Sequence, residues 1–256
     1  MGHQKFIVDE PISLRLAICV CLFTIACTVV ALEPARSSFA VVELFTSEGC
    51  SSCPPADQVL AELANDAKKN GRQIFPLAFH VDYWNSLGWK DPFSLPVSSE
   101  RQEQYGAALH VNQSYTPQMI VNGNTEFVGS DRRRARKAID AALSLPSQGL
   151  VALRVEADGD KQKIEYQVSS APKDAVLCVA VVESGLVSQV RRGENAGRTL
   201  THANVVREFV TLPLGGLTGS VVLESEFSSS KRDLQVIAFV QDPRTLAIFG
   251  ATGIHL

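Results

Sequence analysis

The stretch VVELFTSEGCSSCPPADQVLAELA, Val41 to Ala64, constrains this chain more than any other. A short β-rich apolar run, Phe39 to Phe45, ends in the turn Thr46-Ser47-Glu48-Gly49, and two cysteines follow with two residues between them. Pro54-Pro55 then opens a segment in which Val59, Leu60, Leu63 and Ala67 recur at helical spacing, with Asn70-Gly71 as its stop. Ile74 to Val81 is a second apolar run of strand length. Strand, helix and strand in that order predict a right-handed parallel crossover with Cys50 and Cys53 at its first junction. Such a pair can be half of a zinc site, a structural disulfide or the reactive pair of a thiol–disulfide exchanger.

The compartment bears on that choice. Leu14 to Leu32 is an almost unbroken apolar run with Lys5 ahead of it and Arg15 at its start, so residues 1–31 read as a signal peptide or membrane leader. The expected location is periplasmic or secreted, where disulfides persist. Of the six cysteines, Cys19, Cys21 and Cys27 fall in the leader, leaving Cys50, Cys53 and Cys178. An odd number leaves Cys178, within LCVAVV, as a small buried hydrophobe. The formal net charge is −3, and the basic cluster 131–137 reads as a solvated helix face with no aromatic platform around it, so nucleic acid is excluded as a partner. Membrane contact is expected only through an uncleaved leader.

The rest of the first domain, 38–146, alternates further. Ser99 and Gln102 have capping-box spacing at the head of a helix over 97–109. Gln118 to Val121 and Thr125 to Val128 read as strands joined by the Asn122-Gly123 turn, and Arg132 to Leu143 reads as a helix. With C-x-x-C at the first strand-to-helix junction and Pro117 opening a later strand, this order resembles the thioredoxin fold. The resemblance implies a cis-proline facing the thiols, with Thr116 and Pro117 flanking the pair and offering backbone to a substrate strand. A helix N-terminus favours a thiolate, which makes Cys50 the expected nucleophile, exposed at the tip, and Cys53 the resolving thiol. Ser51 and Ser52 stand where thioredoxin-like pairs often carry proline. His80 and Asp82, two residues apart at the strand's carboxyl end, are candidates for proton transfer or substrate contact, together with Trp84 in a loop that holds both tryptophans.

Other chemistry stays open. Zinc would need ligands from Cys178, His80, His110, His202 or His255, too scattered to read as a site, and no metal site is assigned. Copper handling by the two thiolates with a histidine or Met119 is an alternative to redox exchange. A non-catalytic binding protein with a structural C-x-x-C disulfide is another.

From 148 to 256 the pattern changes to short alternating strands, VALRVEA through LAIFGA, which predict an all-β, sandwich-like domain. A polar segment, 188–207, interrupts it; Arg192, Glu194, Asn195, His202 and Asn204 are candidates to bind an anion, dock onto the first domain or serve as a hydrogen-bonded connector. GCSSCPPAD, HVDYWNSLGWKDPF, YTPQMIVNG and RGENAGRTLTHANVVR together resemble an uncharacterised family of exported bacterial proteins with a thioredoxin-like domain and a β-rich tail. The expectation is therefore an α/β chain, thioredoxin-like domain first and sandwich-like domain second. Its expected activity is exported thiol–disulfide exchange on protein or small-molecule thiols or with a redox partner protein, using the Cys50–Cys53 pair without a cofactor.

Overall fold

The apolar alternation of β1 (Ala40–Thr46) serves two cores, because successive strand side chains point to opposite faces. Val41 and Phe45 join one cluster, Ala40, Val42 and Leu44 the other. The computed structural model describes residue 1 and residues 38–158, 161–223 and 233–256; the expected leader, 1–31, lies outside the described residues. Residues 36–256 make one compact unit. Among the described residues no helix is long and apolar enough to cross a membrane.

Helix α1 (Pro54–Asn70) starts with prolines in its first turn, where their missing N–H groups cost nothing. It ends at Gly71 in the left-handed conformation and buries Val59, Leu60 and Leu63 against β1. Each such side chain contributes about 1.5–3 kcal/mol by leaving water. β2 (Ile74–His80) returns parallel to β1 in full register, Ala40 opposite Ile74 and Thr46 opposite His80. A 3-10 turn over Tyr83–Leu87 leads to α2 (Pro96–Ala108). The capping box expected there is not formed. Pro96 sets the helix start one residue earlier, and Ser99 and Gln102 point elsewhere: Ser99 Oγ donates to Asp82 Oδ1 at 2.5 Å, and Gln102 Nε2 donates to the Tyr115 carbonyl at 2.8 Å.

β3 (Gln118–Val121) runs antiparallel to β1 and pairs with β4 (Thr125–Val128) across the Asn122-Gly123 turn, both turn residues at positive φ. α3 (Arg132–Leu143) is capped by Asp131, whose carboxylate accepts the Arg134 N–H at 2.9 Å. These elements follow the strand-helix order read from the sequence.

The second half departs from expectation. It contributes β5 (Val151–Asp158), β6 (Lys161–Val168), β7 (Val176–Ser184), β8 (Leu186–Gln189), β9 (Thr199–His202), β10 (Val205–Pro213), β11 (Thr218–Leu223), β12 (Asp233–Gln241) and β13 (Ile248–His255). Instead of a distinct sandwich, β10, β7, β12 and β13 extend the first sheet, giving eight strands in the order β13-β12-β7-β10-β2-β1-β3-β4. β11, β6 and β5 form a separate small sheet, packed through Ile164, Val168 and Leu223 onto Val179, Val236 and Ala238 of the large one, and β8 pairs with β9 in a two-stranded ribbon. Sheet-on-sheet packing is present, but one layer is shared with the first half. The physical reason lies at β2, whose outer edge would otherwise be a bare strand edge. β10 covers it through a short parallel contact, Val205 opposite Ala78. Pro76 has no N–H to offer, and Asn204 extends the joint by donating its side-chain amide to the Pro76 carbonyl at 3.1 Å.

Under this joint sits a buried ion pair. Arg101 on α2 donates to Glu43 on β1 at 2.5 and 3.0 Å and to Gln241 on β12 at 3.2 Å. Tyr105 Oη donates to Glu43 at 2.5 Å and accepts from Gln241 at 3.1 Å. The Arg101 guanidinium lies 4.7 Å from the Phe209 ring centroid, so its charge is met on its edge by a carboxylate and on its face by an aromatic ring. Cys178 is free and buried beside it, and burial pushes its thiol up to about 11.

Candidate functional site

Strand β1 ends at Thr46, and the chain turns once before Cys50, which forms a disulfide with Cys53, the residue capping α1. The Cα atoms are 5.4 Å apart. Cys50 Sγ lies 3.3 Å from Ser52 Oγ and 3.8 Å from the Thr116 carbonyl oxygen. The Thr116–Pro117 bond is cis. Trp84 Nε1 donates to Thr116 Oγ1 at 2.9 Å. The fold thus gathers Cys50, Cys53, Thr116, Pro117 and Trp84, residues drawn from separate stretches of the chain.

The exposed tip expected for Cys50 is absent. Cys50 is 1% exposed and Cys53 0%, while Ser51 and Ser52 between them face solvent. The cover is the segment linking β8 to β9. Asn195, fully buried, donates its amide to the Glu48 carbonyl at 2.8 Å and the Cys50 carbonyl at 2.9 Å. Glu194 accepts the Ser51 N–H at 2.9 Å. Gly193, at φ +75°, presses on Trp89 so closely that a Cβ there would stand 3.1 Å from the Trp89 Cβ. Of the roles open to the 188–207 segment, docking onto the first half is the one seen for Glu194, Asn195 and His202. Arg192 is exposed, and Asn204 docks on the first half at a different place, the β2 edge.

Beneath the cover is a buried polar cluster. Glu48 Oε1 accepts from Ser188 and lies 3.0 Å from His202 Nε2; Glu48 Oε2 accepts from Trp89 Nε1 at 2.7 Å. His80 does not pair with Asp82. It is 2.7 Å from Asp91 Oδ2 through Nδ1, because β2 stops at His80 and the chain bends away, leaving Asp82 to Ser99. Asp91 also accepts the Glu48 N–H at 2.8 Å, tying the two carboxylates' surroundings together. The His80 and His202 rings meet edge to face, 4.9 Å between centroids. His80 Nε2 is buried with no hydrogen-bond partner among the described residues.

Burial alone would push the His80 imidazole down. The Asp91 carboxylate, by charge and hydrogen bond, with Asp57 and Glu48 behind it, outweighs that and raises it. Asp91 feels the same pair from the other side: burial pushes it up, His80 more than compensates, and it titrates below the ordinary carboxylate range. Asp57, partly exposed as a residue, turns its carboxylate inward to accept from Thr46 Oγ1 at 2.7 Å, and loss of water raises its pKa against the opposing pull of His80 and His202.

Sequence reasoning named Cys50, Cys53, Thr116, Pro117, His80, Trp84, Glu194, Asn195 and His202. It missed Glu48, Asp57, Asp91, Trp89 and Ser188. Glu48 carried a signal, an acid placed directly before the cysteine turn; Asp91, within KDPF, carried none that spacing could decode. Among the described residues no group of three or more His, Cys, Asp or Glu is arranged to hold a metal ion.

Comparison with known proteins bears on this arrangement. Thioredoxin from Methanocaldococcus jannaschii is 30% identical over 94 residues, which are 37% of this chain and 84% of that protein. The crystal structure of protein AGR_C_4864 from Agrobacterium tumefaciens matches with a TM-score of 0.67 at 28% identity, over 86% of this chain and 96% of that one. HBP35 of Porphyromonas gingivalis matches with a TM-score of 0.62 at 17% identity, over 88% and 77% of the two chains, and shows the fold alone. The model of the family described as "Protein of unknown function (DUF1223)" matches residues 41–241, and the chain, a mixed α/β protein with a thioredoxin among its relatives, belongs to that family.

Proposed function

We propose that this protein is an exported thiol–disulfide oxidoreductase whose Cys50–Cys53 pair exchanges with thiols of proteins or small molecules. The observation that carries the reading is the disulfide at the β1–α1 junction, with Cys50 Sγ 3.8 Å from the Thr116 carbonyl. Exchange requires an attacking sulfur to reach one sulfur of the pair in line with the other, and a second thiol close enough to be released. Two intervening residues meet the second requirement. The first is met when the 190–198 loop moves off Cys50, since Ser51 and Ser52 already reach the surface. Homology to thioredoxin over 94 residues supports the same reading.

Burial of both sulfurs favours a second reading, a structural bridge that clips the turn. Redox titration of the purified protein separates the two. The exchange reading expects a couple more oxidising than about −300 mV, and a value below that assigns the bridge a structural role.

A further inference from the structure

The loop Val190–Arg198 (VRRGENAGR) contains one acidic side chain, Glu194, and that side chain reaches into the C-x-x-C turn. Its carboxylate accepts the N–H of Ser51, the residue next to Cys50, from an otherwise exposed position. The contact holds Glu194 below the ordinary carboxylate range through its bonds to Ser51. The next residue, Asn195, gives its amide hydrogens to the carbonyls of Cys50 and Glu48. Adjacent residues therefore present an anion and an amide donor to the rim of the disulfide. When this loop leaves, the rim has an N–H at Ser51 and a carbonyl at Glu48 that have lost their partners, and a Cys50 carbonyl left with the Cys53 N–H alone. Lys90, exposed next to Trp89 and outside the departing loop, favours the approach of an anion.

We propose that Glu194 and Asn195 act as an internal ligand over Cys50–Cys53, and that the substrate replacing them is a thiol bearing a carboxylate, of the kind a short acidic peptide offers. This rests on reading the pair as an exchange site. The substrate carboxylate takes the Ser51 N–H that Glu194 releases, and an amide N–H of the substrate takes the vacated carbonyls. Its thiolate then attacks Cys50 Sγ, forming the mixed disulfide as the Cys50–Cys53 bond breaks, and Cys53 departs as a thiolate that takes up one proton. A second substrate thiolate attacks the substrate sulfur of the mixed disulfide and releases Cys50. Two electrons pass to the protein pair and the product is the substrate disulfide.

The test uses the oxidised full chain, with 2-mercaptoethanol and 3-mercaptopropionate as probes and fluorescence of Trp84 and Trp89, which flank the site, as the readout. Each rate is divided by the same thiol's rate against a small exposed disulfide, which removes intrinsic nucleophilicity. Glu194→Gln, a change at an exposed side chain, is expected to speed reduction by both thiols about tenfold, the equivalent of one hydrogen bond to a charged group. In the wild type and the variant alike, the normalised rate for 3-mercaptopropionate is expected to exceed that for 2-mercaptoethanol by about fivefold or more, on the same hydrogen-bond scale. A Glu194→Gln protein that is reduced no faster, or equal normalised rates for the two thiols, overturns the proposal. A strongly reducing couple in the titration would sink the exchange reading by itself, because excess thiol still opens the bond and the rate comparison stands apart from it.

Discussion

Glu43 and Glu48 lie on either side of Thr46, are both fully buried, and are held by partners of different kinds. Glu43 faces Arg101, a cation that keeps its charge at any usable pH, and a ring of Tyr105 and Gln241 fills the remaining bonding positions. Glu48 faces His202, Trp89 and Ser188, with the His80–Asp91 pair behind it. The first arrangement is closed and joins α2, β1 and β12. The second borders the disulfide, includes the His80 imidazole, which Asp91 raises against its burial, and leaves His80 Nε2 without a partner among the described residues. The difference teaches that a buried carboxylate cemented by arginine serves as a joint, whereas one held by histidine and by loop side chains belongs to a region that can respond to conditions.

The comparison breaks most readily at Arg101. Arg101→Ala leaves Glu43 buried without its cation and is expected to cost about 3–5 kcal/mol in urea unfolding, while Glu43→Gln combined with Arg101→Met should cost much less than that single change. If the double variant loses as much as Arg101→Ala, packing around the guanidinium, and not its charge, is what joins the halves. A smaller effect is expected from Trp89→Phe, which keeps most of the apolar surface but removes the indole donor from Glu48 Oε2. It should cost about 2 kcal/mol, the scale for a hydrogen bond to a charged group. Thermal unfolding indistinguishable from wild type would show that the Glu48 cluster does not depend on this donor.

The smallest effect sharpens the contrast in pH dependence. His80 is raised by its partners, so its contribution is fully present below its unfolded value near 6.5 and is lost as pH rises through its folded value. Asp91 is lowered, so its contribution is present above about 4 and is lost as pH falls through its folded value. The pair is therefore expected to stabilise most between about pH 4 and 6.5. Above that window stability should decline by at most about 1.4 kcal/mol per pH unit for one proton. Unfolding of wild type and Asp91→Asn compared from pH 5 to 8.5 isolates the pair from Glu48, Asp57 and His202. An unchanged alkaline slope in the variant would remove His80–Asp91 from the account, whereas the Arg101 joint should show no such slope.

What could be read in advance follows the range of the interactions. α1 was legible because helical spacing, prolines at the start and a glycine stop are local signals, α3 because its apolar residues recur at helical spacing, and the Asn122-Gly123 hairpin is set by two adjacent residues. The start of α2 was misplaced because Ser99 and Gln102 have cap spacing while Pro96, a stronger constraint on φ, sits just ahead of them. The β-rich character of VREFVTLP could be read, but its partner could not: alternation marks a strand without saying whose edge it will cover. The same limit applies to the site. Cys50 and Cys53 announce themselves through their spacing, whereas His80 finds Asp91 and Glu48 finds His202 only after folding brings distant segments together. Asn195 was named as a residue of a polar loop, but its donation to the Cys50 carbonyl could not be read from its neighbours in the chain.

The shared eight-stranded sheet carries a consequence for how such a chain can be divided or recombined. A fragment ending near Leu145 would keep the cysteine turn and the cis-prolyl loop but would strip β10 from β2, exposing a hydrophobic ribbon able to recruit copies of itself into aggregates. The first half is thus not a detachable cartridge, because the polypeptide that follows it covers its open side.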